Sequence, residues 1–292
     1  MVSERIELHC HSLYSDGTLC PTELVVLAAA RAVRLLALTD HDTTAGCAEA
    51  AAACRQQRIA FIAGVELTCQ WQAQEIHIVG LDLDVEAPAL RAYCQAVQQQ
   101  RRARLEGMLE RLRGLGLPTE PLREAALAAS SATRTHLARA LHTHGWARSV
   151  QEAFDRYLQR GRPAWCEASW PALAAAVQCI VTSGGLAVLA HPHRYRLSGA
   201  ALSALLTAFR AAGGVGLEVS LAGMSPSDAD RAARLARRHD LAGSVGSDFH
   251  EPGLPWRPLG RFAKLPEAVR PIMMCRGGLG AVPLVAQGHS GR

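Results

Sequence analysis

Seven short apolar segments, most of them closed by a histidine or an acid, alternate with alanine-rich stretches of helical spacing, and few architectures accommodate that alternation. Residues 6–11, 35–41, 60–68, 75–83, 186–191, 214–220 and 243–250 have the length and apolar density of buried strands. Helical patterns span 22–32, 44–57, 171–183, 199–212 and 227–239; several open on Pro or Ser/Thr, and two stop at Gly184 and Gly213. Strands and helices in alternation pair in parallel through right-handed crossovers, giving an α/β barrel or a doubly wound sheet. Seven or eight such units favour closure into a barrel.

The rhythm breaks across 88–167, where arginines, glutamines and alanines dominate and the strand signal disappears. This stretch reads as a helical insertion and lid, dividing a barrel formed by 1–87 and 168–292. Its helices are expected at 89–115, with Arg101, Arg102, Arg104, Arg111 and Arg113, near 135–144 and near 150–160. A chain of 292 residues suits one barrel with such an insertion better than two large domains. The glycine-rich tail from Gly277 carries little periodicity and is expected to fray.

A formal charge of +5 is too mild for a nucleic-acid coat, so no stable nucleic-acid complex is expected, yet it leaves room for a local basic patch facing an anion. Nine cysteines without a CxxC pair indicate neither a disulfide framework nor a thiolate zinc site. The opening residues lack a secretory pattern, and no apolar run reaches the ~18 residues of a membrane helix. A soluble cytoplasmic protein without membrane contact is the expectation.

The chemistry lies in where the histidines and acids fall. His9 and His11 close the first strand, where alternation puts both imidazoles on one face. His41 closes the second, Glu66 lies near the end of the third, His77 is within the fourth, His191 ends the fifth, and Asp248 and His250 end the seventh; Asp16 follows the first. In a parallel barrel these ends meet on the rim that carries active sites. One histidine at a strand end is ordinary; recurrence over successive strands makes a cluster. Unpaired, six imidazoles and three carboxylates at one mouth would be costly, whereas divalent cations would partner them. Mixed imidazole and carboxylate donors without thiolate point to manganese, iron or zinc, with two or three ions if a carboxylate bridges. His142, His144 and His239 lie on helical patterns and read as structural, His193 and His289 carry no signal, and Asp42, Asp82 and Asp84 read as loop caps.

With these residues assembled, the segments IELHCHSLYSDG, LLALTDHDT, IAGVELT, EIHIVG, LAVLAHPHRY and SVGSDFH resemble the polymerase and histidinol phosphatase (PHP) superfamily of phosphoesterases, in the family's order. The resemblance implies an α/β fold, a distorted seven-stranded (β/α)7 barrel with a small all-helical insertion, and a trinuclear site, with manganese as the expected metal. It assigns His9, His11, Glu66 and Asp248 to one ion, Glu66, His77 and His191 to a second, and Asp16, His41 and His250 to a third. ATRTHLARAL and AFDRYLQRGRPAW are similar to the small stand-alone nucleotide phosphatases sometimes called TrpH-like. That subgroup resembles enzymes that remove the 3′-phosphate from nucleoside 3′,5′-bisphosphates, and others that trim short RNA from the 5′ end.

A phosphoric monoester hydrolase is therefore expected, acting on a small nucleotide and with short RNA as an alternative substrate. A metal-bridging hydroxide is the expected nucleophile. Asp40 or Asp248 would orient it, and His191 or His250 would assist the leaving oxygen. Arg101, Arg104 and Arg134 are the preferred phosphate anchors, because guanidinium forks match phosphate oxygens in pairs. Ser131, Thr133, Thr135 and His136 flank Arg134 and would add contacts, as would Asp40 from the barrel. One phosphate would lie on the metals and another on the lid. Aromatic residues are scarce, which disfavours a long stacking platform. Histidinol phosphate hydrolysis and a non-catalytic metal-binding accessory module are the remaining alternatives.

Overall fold

The computed structural model describes residues 5–275; the expected frayed tail from Gly277, with His289, lies outside the described residues. Strands β1 (Arg5–Glu7), β2 (Val33–Leu38), β3 (Ala60–Trp71), β4 (Gln74–Leu81), β5 (Leu186–Leu189), β6 (Gly216–Leu221) and β7 (Ala242–Gly246) form one sheet in chain order. Helices α1 (Pro21–Ala30) and α2 (Cys47–Gln57) cover its first strands. Helices α7 (Leu173–Thr182), α8 (Gly199–Ala211) and α9 (Pro226–Arg238) cover the rest. The insertion between β4 and α7 contains α3 (Pro88–Gly114), α4 (Glu120–Leu127), α5 (Arg134–Thr143) and α6 (Val150–Ala153), the last continued by a π-helical turn at Phe154–Leu158. Helix α4 was not expected from the sequence.

The sheet is not parallel throughout. Strand β4 runs antiparallel to both β3 and β5, while all other neighbours are parallel. Only Gln72 and Ala73 separate β3 from β4, with Gln72 at φ 53°, and a parallel crossover needs about a dozen residues or more. A hairpin is the only solution. Its consequence is functional: the start of β4, not its end, lies beside the C-terminal ends of the parallel strands. His77 therefore reaches the same rim by running the other way, opposite Thr68 of β3.

Alternation along the strands sorts the side chains. Leu36 and Leu38 face α1 and α2, while Ala37 between them faces the barrel interior. Ile76 and Ile78 face the covering helices, while Val79 and Leu81 face inward on the row that carries His77. Val65 and Leu67 likewise bracket inward Glu66, and Leu217 and Val219 bracket Glu218. An apolar plug of Leu8, Ala37, Ile62, Val79, Val188 and Ala242 thus fills the lower barrel beneath a polar mouth. The insertion has a core of its own, with Leu105, Met108, Leu112, Leu122, Leu137 and Leu158 packed together.

The ladders leave β1 and β7 unpaired with each other, and closure comes from the segments beyond their ends. The His11 N–H donates to the Phe249 carbonyl at 2.9 Å, and the Asp248 N–H to that of His9 at 2.8 Å. Gly246 is required at this seam, since a Cβ there would lie 2.6 Å from the Cβ of His9. Buried Glu7 completes it by accepting the backbone N–H of His9 (3.1 Å), Ser247 (2.8 Å) and Gly260 (2.8 Å). Glu7→Ala would orphan two buried donors and a partly buried one. We expect a loss of about 3 kcal/mol in urea unfolding, with Glu7→Gln intermediate because its amide oxygen still accepts. A Glu7→Ala midpoint equal to wild type would contradict this account of closure.

Candidate metal centre

Glu66 and His77 lie within β3 and β4, and the other seven ligand candidates sit on loops just past the strands, because β1, β5 and β7 end earlier than their apolar patterns. There the chain turns sharply. His191, Asp248 and Asp42 have φ of 29°, 51° and 49°, a left-handed backbone that non-glycine residues seldom adopt and that clusters at functional sites. Gly17 permits the tight loop carrying Asp16, since a Cβ there would fall 2.4 Å from the His11 carbonyl oxygen.

The structure brings all nine expected ligands into one cluster around Glu66, which is fully buried. Its Oε2 lies 3.2 Å from His9 Nε2, 3.3 Å from His11 Nε2 and 3.0 Å from His41 Nδ1. Its Oε1 lies 2.8 Å from His191 Nε2 and 3.1 Å from His77 Nδ1. Asp248 Oδ1 joins His11 at 3.1 Å and His9 at 3.4 Å. Asp16 Oδ1 faces His250 Nε2 at 3.2 Å and His41 Nε2 at 3.7 Å. Donor atoms converge in three groups: His9, His11, Glu66 and Asp248; His11, Asp16, His41 and His250; and His41, Glu66 and His77.

This donor set fits divalent cations. Asp16 Oδ1, Glu66 Oε2 and His41 Nδ1 are buried without a hydrogen-bond partner, although each faces opposite or complementary groups. Burial alone would raise the carboxyls, yet the imidazoles of His41, His9 and His77 hold Glu66 well below the usual carboxylate range. Asp248 is likewise held low against burial by Arg194, His250 and His9. Burial pulls His11 down, but the adjacent Asp248 and Glu66 carboxylates push it up to about 9. In His77 the charge of Glu66 overcomes burial and drives it up to about 10.

A cavity of about 910 Å³ opens over the cluster and runs beneath the insertion. Of the expected substrate contacts, Arg101, Arg104, Thr133, Arg134 and Thr135 line it. Asp40, Ser131 and His136 are not among its lining residues. The Asp40 carboxylate accepts the Ser12 N–H (2.7 Å), Ser12 Oγ (2.6 Å) and Ser15 Oγ (2.6 Å), and so holds the Asp16 loop in shape. His136 Nδ1 accepts the Thr133 N–H at 3.0 Å, closing a capping box at the start of α5. The Ser131 hydroxyl is buried away from the cavity.

The arginines are not free-standing. Arg101 binds Asp42 at 2.7 Å, so that acid is an arginine's partner as well as a loop residue. Arg104 donates to Glu75 at 3.1 Å and Arg134 to Glu75 at 3.4 Å; both guanidinium groups lie over the Trp165 ring, at 4.6 and 5.2 Å. Trp170 Nε1 also donates to Glu75, at 2.8 Å. The sequence reading passed over Glu75, although it stands two residues before His77 and so on the same side of β4. It also passed over Arg194 and Arg257, which line the cavity and both bind Asp248 Oδ2, Arg257 at 3.3 Å. Few aromatics did not mean none at the site, since Trp165, Trp170 and Phe154 all line the cavity. His142, His144 and His239 make contacts outside it, as expected.

The sequence pattern of the PHP domain matches residues 7–222, most of the chain. The chain belongs to the PHP family. It is 42% identical over 276 residues to the 3′,5′-nucleoside bisphosphate phosphatase of Chromobacterium violaceum, covering 91% of this chain and 94% of that one. It is 40% identical over 271 residues to a 5′-3′ exoribonuclease of Haemophilus influenzae, covering 93% and 98%. The solved structure of a Chromobacterium violaceum amidohydrolase with bound sulfate superposes with a TM-score of 0.87 at 41% identity, covering 92% and 94%. Both curated relatives carry names for enzymes that break phosphate esters. No helix among the described residues is long and apolar enough to cross a membrane.

Protons and cations compete for this PHP cluster. The raised imidazoles keep their protons at neutral pH and stabilise the metal-free fold below their ordinary value near 6.5; that support is lost as pH rises through about 9 to 10. Cation binding must displace those protons. The rise in Tm on adding manganese should therefore be larger at pH 8.5 than at pH 6. Equal shifts by differential scanning fluorimetry would contradict the competition.

Proposed function

We propose that this PHP protein removes the 3′-phosphate of nucleoside 3′,5′-bisphosphates, such as adenosine 3′,5′-bisphosphate, releasing a 5′-nucleotide and phosphate. One observation carries the reading: a single cavity joins the imidazole and carboxylate cluster to a separate set of arginines and tryptophans under the insertion. A substrate with an anion at each end matches that division, and the Chromobacterium relative bears the name of this activity at 42% identity.

In this reading residues 1–87 and 168–292 are the catalytic barrel and 88–167 the substrate lid. His9, His11, Glu66 and Asp248 would hold one ion, Glu66, His77 and His191 a second, and Asp16, His41 and His250 a third, with manganese preferred over iron or zinc. Bound there, divalent cations would lower the pKa of a water toward neutrality and neutralise charge on the phosphoryl oxygens. His250 serves as a ligand and not as a proton donor, because Nδ1 is engaged with the Asp248 carbonyl at 2.8 Å and Nε2 faces Asp16. His191 would likewise act as a ligand, with Nε2 turned to Glu66 at 2.8 Å. Arg194 and Arg257, held on Asp248, direct guanidinium groups along the cavity edge where the scissile phosphate would lie. Arg104 and Arg134, held on Glu75, receive the 5′-phosphate. Nine free cysteines suit a reducing compartment, and we place the enzyme in the cytoplasm.

Phosphate release from adenosine 3′,5′-bisphosphate should appear with manganese and vanish on chelation or in His9→Ala. Arg134→Ala should raise KM about tenfold with a smaller effect on kcat, as loss of one charge-assisted contact predicts. Equal kcat/KM on adenosine 5′-monophosphate and on the bisphosphate would reject the specificity.

The second reading is 5′ to 3′ trimming of short RNA. The cavity wall continues past Arg134 through Trp165, Phe154 and Arg160, room that a single nucleotide does not require, and the Haemophilus relative carries that name. An RNA oligonucleotide labelled at its 3′ end would give a ladder of shortened products under this reading and stay intact under the first.

A further inference from the structure

A fully buried strand carries one acid that the reaction does not use. Glu218 of β6 is 1% exposed and flanked by Leu217 and Val219, which face the covering helices. An ionised carboxylate so placed is costly unless its oxygens are engaged. Both are. Oε1 lies 2.6 Å from His9 Nδ1, and Oε2 accepts the backbone N–H of His191 at 2.6 Å. The strand register against β7 slips immediately after Glu218, and a bulge of this kind re-aims a side chain into the barrel.

The two contacts reach different parts of the cluster. His9 presents Nε2 to Glu66 Oε2 at 3.2 Å and to Asp248 Oδ1 at 3.4 Å, so it serves one group of donors. His191 presents Nε2 to Glu66 Oε1 at 2.8 Å, on the other side of the shared carboxylate. An imidazole can ligate through Nε2 only if that nitrogen is unprotonated, so a neutral His9 must carry its proton on Nδ1. Glu218 Oε1 accepts at that atom and fixes the tautomer. His191 meanwhile sits at φ 29°, ψ 59°, a strained backbone that a short charge-assisted bond to its N–H offsets.

We propose that Glu218 is a positioning residue that sets two separate cation subsites at once, by holding the His9 tautomer and the His191 backbone with one carboxylate. The proposal rests on the metal reading of the site given above. Glu218 touches neither the cavity nor a substrate, and acts only through those two histidines. Two accepting oxygens are essential to this role. The amide of Glu218→Gln can accept at one end only. With its oxygen toward His191, its NH2 meets His9 Nδ1 and forces the His9 proton onto Nε2. With its oxygen toward His9, its NH2 opposes the His191 N–H.

The test uses zinc alone, titrated calorimetrically into wild type, Glu218→Gln and Glu218→Asp. Metal-free Tm serves as the control for folding. Glu218→Gln should fold yet bind zinc about 10- to 100-fold more weakly, the usual cost of losing such an outer partner, and Glu218→Asp should recover part of the loss. Long-range 1H–15N NMR of zinc-loaded wild type should place the His9 proton on Nδ1 and shift it strongly downfield, a signature that packing alone would not produce. Wild type that binds no zinc would overturn the metal reading and this proposal together. Wild type that binds zinc while Glu218→Gln binds it equally, or a His9 ligated through Nδ1, would overturn the role of Glu218 and leave the metal reading standing.

Discussion

One buried carboxylate organises the mouth of this barrel. Both oxygens of Glu66 lie within 3.3 Å of an imidazole nitrogen, and five histidines from four separate parts of the chain meet on it. Such an arrangement is tolerable only when opposite charge is supplied, by protons or by cations, because an isolated buried carboxylate would otherwise abandon its charge. The rest of the fold serves that constraint. An apolar plug beneath the cluster excludes water from below, the inward rows of β3, β4 and β6 lift Glu66, His77 and Glu218 above it, and the seam between the ends of β1 and β7 brings His9 and His11 to Asp248.

The reversed strand β4 links the barrel to its lid. Running against its neighbours, it delivers His77 to the cluster and Glu75, one pleat nearer the rim, to the arginines of α3 and α5. Glu75 is drawn well below the usual carboxylate range, with burial opposed by the His77 hydrogen bond and by the charges of Arg134 and Arg104. Position of the insertion's arginines is thereby tied to position of a cluster histidine through a single acid. In the opposite direction α3 follows β4 after a short turn, so the hairpin that places the ligand also launches the insertion.

Much of this was legible in the sequence. The cluster stood out because histidines and acids recurred at or near the ends of successive apolar segments, and the covering helices fell within a few residues of their patterns. The antiparallel strand was missed although the cue was present, since the gap between residues 68 and 75 is too short for a crossover. Arg101 and Arg104 share a buried stripe of α3 with Leu90, Cys94, Val97 and Met108, a spacing that marks them as inward-facing, unlike exposed Arg102 and Arg111. Glu218 announced itself as the one acid in an apolar strand. The contacts of Asp40 were not legible: its neighbour His41 joins the cluster, and alternation turns Asp40 to the Ser12–Ser15 turn. Arg257 gave no local signal, because its partner Asp248 precedes it in an irregular loop where no period relates them.

Every arginine singled out in the cavity is anchored by an acid: Arg101 by Asp42, Arg104 and Arg134 by Glu75, Arg194 and Arg257 by Asp248. The pairing cancels part of their charge, so the cavity attracts an anion less strongly from a distance than five bare guanidinium groups would. What it gains is order. A guanidinium already fixed by an acid and stacked on a tryptophan loses little freedom when a phosphate arrives, and its unused N–H groups are already aimed. Recognition then depends on the spacing between anchored groups more than on total charge, which accords with a chain whose formal charge is only +5. Two anions held at a fixed separation match such a cavity better than one, and the fold sets that separation through Glu75 beneath the insertion and Asp248 in the cluster.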